Sequence, residues 1–66
     1  MRLSKKKIEI IQAKHGLSNE DIAKKCGITR QRVSCILNSI NVYPKTAGMI
    51  AKALGVDVTE ILVKES

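Results

Sequence analysis

Aromatic residues are almost absent: among 66 residues there is one Tyr, no Trp and no Phe. Modules that grip single-stranded nucleic acid stack bases on aromatic rings, so the composition argues against that class. Cysteine is scarce too, with only Cys26 and Cys35. A disulfide scaffold of this length would carry more, so both thiols are expected reduced and the chain cytoplasmic. His15 is the only histidine, and no set of four ligands stands at zinc spacing. No metal and no cofactor are therefore expected. No apolar run reaches the roughly 18 residues of a membrane span, and no signal-peptide core is visible, so no membrane partner is expected. There is no Ser/His/Asp set, no P-loop and no carboxylate dyad, which argues against an enzyme. Acidic residues are outnumbered, 6 against 12 Lys plus Arg, for a net charge of +6. With single strands disfavoured, a double-stranded nucleic acid is the first candidate for the polyanionic partner.

What is present is punctuation for helices. The length fits one domain, residues 1–66. The first helix is expected from Lys5 to His15, with Ser4 as N-cap and Gly16 just past its end. Ser18 with Asp21 forms a shortened capping box that opens a second helix, and Leu17 with Ile22 suits a hydrophobic staple. Gly27 ends that helix, and Thr29 caps a third that runs to about Asn38. The break between them, Gly27-Ile28-Thr29, has the length of a helix-turn-helix corner. A loop from Ser39 to Tyr43 precedes a fourth helix opened by Pro44 and closed by Gly55. Asp57 and Glu60 form another capping-box pattern before Val58, Ile61 and Leu62, which predicts a short fifth helix. Lys64, Glu65 and Ser66 are expected to fray. The fold class is thus all-α, a compact five-helix bundle.

Turning the third helix by about 100° per residue separates two faces. Val33, Ile36 and Leu37 fall on one side, and Leu37 is expected to be buried against the first helix near Ile11 and Gln12. Gln31, Ser34, Cys35 and Asn38 fall nearly opposite, flanked by Arg30 and Arg32. The second face suits the reading of base edges. Glutamine pairs with adenine in two bonds, arginine takes guanine or holds phosphate, and serine serves either base type. A small Cys35 allows close approach to a thymine methyl. An ordinary polar solvent face is the competing reading, and the corner and the net charge weigh against it.

The segment NEDIAKKCGITRQRVSCILN, Asn19 to Asn38, resembles the helix-turn-helix of the Cro and phage-repressor family. Ala23 is small where the helices cross, Gly27 makes the turn, Ile28 plugs the core, and Val33 and Ile36 anchor the recognition helix. The likeness extends over IEIIQAKHGLS before it and PKTAGMIAKALGVDVTEIL after it. It implies a lambda-repressor-like DNA-binding domain and a transcriptional regulator, a repressor by promoter occupancy, of a phage or mobile element. It implies base contacts at Arg30, Gln31, Ser34 and Cys35. Phosphate contacts would fall on Asn19, Arg32, Asn38, Tyr43, Lys45 and Thr46. Two departures stand out. Where members often pair an Arg with a Glu, this chain has Gln12 and Leu37, so no charge is left unpaired. Ser39-Ile40-Asn41 replaces the usual glycine after the recognition helix.

One recognition helix covers few base pairs, so such proteins pair as two-fold dimers on palindromic operators. The expected homodimer interface is the apolar C-terminal stretch Val56, Val58, Ile61, Leu62 and Val63. Two other readings stay open. One is an antitoxin-like DNA binder whose main role is holding a protein partner through Ile10, Ile40 and Val63. The other is a basic structural or RNA-associated protein.

Overall fold

In the computed structural model, which describes residues 1–63, every helix begins where a side chain can take over its free N–H groups or where proline removes one. Helix α1 spans Lys5–His15, α2 Asn19–Cys26, α3 Arg30–Leu37 and α4 Pro44–Leu54. The Ser4 hydroxyl accepts from the Lys7 N–H at 3.3 Å, and the Thr29 hydroxyl from the Arg32 N–H at 3.1 Å. At α2 the box is reciprocal: Ser18 accepts from the Asp21 N–H at 3.2 Å, and the Asp21 carboxylate accepts from the Ser18 N–H at 2.8 Å. Between α2 and α3 the chain reverses at Gly27, whose φ of +71° is the left-handed conformation that a side chain would disfavour. The chain then turns straight into α3, and this fixes the angle of the α2–α3 corner.

One core joins all four helices. Ile8 of α1, Ile22 of α2, Val33 of α3 and Ile50 of α4 are wholly buried, and Ile36, Leu37, Ala47, Ala51 and Leu54 are buried with them. Leu37 is 7% exposed, so the apolar side of α3 faces inward as its spacing predicts. Burying a side chain of this size contributes roughly 1.5–3 kcal/mol. The radius of gyration, 10.6 Å, is that of a fully packed chain of this length.

Among the described residues there are four α-helices rather than five. The expected fifth is a 3-10 turn of three residues, Val58–Glu60. Its cause lies at the other end of the chain. The Ile61 carbonyl, which a longer helix would use internally, accepts instead from the Ser4 N–H at 2.7 Å. Leu62 pairs with Leu3 in an isolated antiparallel bridge, and the Val63 N–H donates to the Arg2 carbonyl at 3.0 Å. Leu3 itself is buried, a core residue its position in a basic leader does not announce.

The same N-terminal residues hold the loop after α3. The Met1 nitrogen donates to Asn41 Oδ1 at 2.6 Å and to the Val42 carbonyl at 2.9 Å, and the Val42 N–H returns a bond to the Met1 carbonyl at 2.7 Å. Long-range bonds therefore hold this loop, which contains no glycine.

Of the interface residues expected at Val56, Val58, Ile61, Leu62 and Val63, one is placed in the core. Ile61 is 0% exposed and has no surface to offer a second copy. Val56, Val58 and Leu62 are half-buried against the core, and Val63 is half-buried beside Arg2. The fraying expected of Lys64, Glu65 and Ser66 lies outside the described residues. No helix among the described residues is long and apolar enough to cross a membrane.

Candidate nucleic-acid interface

Burying Val33, Ile36 and Leu37 leaves the opposite face of α3 in solvent, with a groove on either side. The larger, of about 650 Å³, runs between the start of α2 and the start of α3. It is lined by Ser18, Asn19, Glu20, Arg30, Gln31 and Ser34. Three of the four expected base readers and one expected phosphate contact thus share one concave surface. The smaller groove, about 250 Å³, lies between α3 and the start of α4. Arg32, Cys35, Tyr43 and Thr46 line it. The expected site is therefore divided by the helix: Arg30, Gln31 and Ser34 face one groove, Arg32 and Cys35 the other.

Each groove ends at a helix N-terminus. Asn19 is the first residue of α2. At α4, Tyr43 is the N-cap without a side-chain bond and Pro44 occupies the first turn. The N–H groups of Lys45 and Thr46 have no partner within the helix, and with the helix dipole they favour an anion. Tyr43 is 82% exposed and stands beside them. Lys45 is exposed in the same turn but lines neither groove.

The start of α2 is less simple, because Glu20 and Asp21 place two carboxylates in its first turn. The Ser18 N–H and then the Ser18 hydroxyl hold the Asp21 carboxyl below its ordinary value, so it stays ionised. Glu20 meets Lys24 at 3.9 Å in an exposed pair, a geometry that adds little stability. Beside them Asn19 is tied to α1, its Oδ1 accepting from Gln12 Nε2 at 2.9 Å. Gln12 on α1 stands out in the sequence only for replacing an Arg, and its bond to Asn19 is visible only in the structure.

Asn38, expected to touch phosphate, is already committed at both ends of its amide. Its Nδ2 donates to the Ser34 carbonyl at 2.9 Å and its Oδ1 accepts from Lys5 Nζ at 3.0 Å. That arrangement caps the end of α3 and brings the Lys5 ammonium to it. Lys5 reads in sequence as one of a run of solvated lysines, and its nearness to Asn38, 33 positions away, is purely tertiary.

The two cysteines differ. Cys26 is half-buried, its thiol near the Met49 carbonyl at 3.8 Å, and burial pushes its pKa up. Cys35 is exposed on α3. Both are free thiols.

The sequence is similar to those of known proteins. The helix-turn-helix family model matches residues 8–61. A relative described as an uncharacterized HTH-type transcriptional regulator, from Methanocaldococcus jannaschii, is 37% identical over 62 residues, which span 92% of this chain and 94% of the relative. No solved structure matches the chain significantly.

Proposed function

Because the chain belongs to the helix-turn-helix family, we propose that it is a sequence-specific double-stranded DNA-binding transcription regulator that reads bases with α3 in the major groove. The observation that carries this reading is the larger groove, where Arg30, Gln31 and Ser34 stand together beside the start of α2. Gln31 donates and accepts in parallel to adenine, Arg30 takes guanine, and Ser34 serves either base type. Cys35, exposed on the same helix, is small enough to meet a thymine methyl. The backbone is clamped on both flanks. Asn19 holds phosphate at the start of α2, and Arg32, Tyr43, Lys45 and Thr46 hold it at the start of α4. At the end of α3 the contact expected of Asn38 passes to Lys5, which Asn38 orients.

Regulation is by occupancy: bound over a promoter, the protein blocks polymerase as a repressor. Two copies occupy a palindromic operator with half-sites one helical turn, about 34 Å, apart. The half-buried Val56, Val58, Leu62 and Val63 are the part of the C-terminal stretch still open to a second copy. A second reading, in which the main role is to hold a protein partner, draws support from Ile40, 79% exposed, and Ile10, 47% exposed.

Selection from random duplex DNA tests the first reading, followed by affinity against salt. Log affinity should fall with log salt by about 0.9 for each phosphate neutralised, and Lys5→Met should remove about one such unit while Asn38→Ala alters the slope less. A flat salt dependence would remove the phosphate clamp, and failure to enrich any duplex would favour the partner-protein reading.

A further inference from the structure

We infer that the groove where α1, α2 and α4 end is a docking site for an acidic protein segment that carries apolar side chains on either side of a carboxylate. None of the groove's residues lines either groove beside α3, so the site is separate from the base-reading face. Two adjoining hollows, of about 370 and 320 Å³, share Lys25 and Lys52. Cys26 and Met49 line the first, and His15 and Leu17 the second. Lys25 and Lys52 are exposed, whereas Cys26, Met49 and Leu17 are half-buried. A pair of cations thus stands between two hollows with part-apolar linings. No carboxylate lines either hollow. Among the described residues the one ion pair, Lys24 with Glu20, leaves Lys25 and Lys52 without an acidic partner.

A duplex is the other polyanion such cations could meet, and two features count against it. First, α1, α2 and α4 end here at His15, Cys26 and Leu54, so the groove gathers helix C-termini with their negative dipole ends. Phosphates favour the opposite ends of helices, where N–H groups are free. The last carbonyls of a helix need donors, which a peptide backbone has and a phosphate chain lacks. Second, a phosphate chain brings no apolar group to cover Leu17 and Met49, whereas a leucine beside a carboxylate does. Met49 is unbranched and adapts to the shape of what it meets.

The competing account is that Lys25 and Lys52 merely offset the dipoles of their own helices. Titration of isotope-labelled protein with a short helical peptide, its glutamates flanked by leucines along one face, separates the two. NMR reads the amide shifts and fluorescence anisotropy the affinity. The peptide should shift the amides of Lys25, Met49 and Lys52 and leave those of Gln31 and Cys35 in place. Lys25→Met combined with Lys52→Met should weaken binding about tenfold, the size expected for two exposed ion pairs. Lys6→Met, an equally exposed lysine on α1, should leave it unchanged. Serine in place of the peptide's leucines should also weaken binding about tenfold. That arm needs no protein variant, so it carries the test if the lysine variant does not fold. Absence of shifts at the groove, or shifts centred on α3, would overturn the proposal. Equal binding by the serine peptide would too, since bare charge would then account for it. A random-sequence duplex that shifts Lys25 and Lys52 where the peptide does not would replace the proposal with a second nucleic-acid surface. A wild type that selects no duplex overturns the DNA-binding reading and leaves this site standing.

Discussion

Two stretches of this chain carry the same helix-opening pattern and fold differently. At Ser18 and Asp21 the reciprocal cap opens α2, which runs eight residues to Cys26. At Asp57 and Glu60 the acidic side chain again reaches back, Glu60 accepting from the Asp57 N–H at 3.0 Å, yet the helix stops after one 3-10 turn. The difference lies downstream of the cap. After Asp21 the backbone meets only its own next turn until Gly27. After Glu60 the Ile61 carbonyl and the Val63 N–H are claimed by Ser4 and Arg2. A cap decides where a helix starts, and competition for the following carbonyls decides how far it goes.

Core truncation should hurt both regions, and this is the largest effect expected. Leu37→Ala in α3 and Ile61→Ala after the turn should each cost about 2–5 kcal/mol, because both side chains are buried in the same core. Chemical denaturation measures it, and in a domain of marginal stability either change should unfold a substantial fraction. An Ile61→Ala protein as stable as the wild type would mean that the C-terminal stretch is not part of the core.

The caps should differ more than the cores do. Ser18→Ala should destabilise by about 1 kcal/mol, because a full helix depends on that cap. Asp57→Ala should cost less, since only a three-residue turn follows it. Equal losses in thermal melts would erase the contrast between the two regions.

The smallest effect is the acid response of the α2 cap. The Asp21 carboxyl lies below its ordinary value in the folded chain, chiefly through its bond to the Ser18 N–H. Its contribution is therefore present above the unfolded aspartate value, near about 3.9, and is lost as pH falls through the lower folded value. Asp21→Asn should flatten that part of the stability–pH curve. An acid limb identical in Asp21→Asn and wild type would show that the cap is not coupled to folding.

What could be read in the sequence follows the same division. Ser4, Gly16, Ser18, Gly27, Thr29 and Pro44 mark the four helices because each acts on backbone within a few residues of itself. The inward face of α3 is legible because helical spacing sorts Val33, Ile36 and Leu37 from their polar neighbours. The lost fifth helix, the burial of Leu3 and the loop held by Met1 are not legible, because each depends on a partner near the opposite end of the chain. The candidate site divides likewise. Arg30, Gln31 and Ser34 are found from one helix alone, whereas the links from Lys5 to Asn38 and from Gln12 to Asn19 exist only once α1 has packed.

The central claim is that the exposed face of α3 reads bases, and Gln31 is its sharpest point. Duplex selection on random sequence should be run in parallel for the wild type and Gln31→Ala. The account predicts one enriched motif for the wild type. For Gln31→Ala it predicts a loss of roughly 1–3 kcal/mol on that motif, with preference relaxed at a single base pair and retained at the others. An unchanged motif in Gln31→Ala, or a wild type that binds every duplex alike, would contradict it.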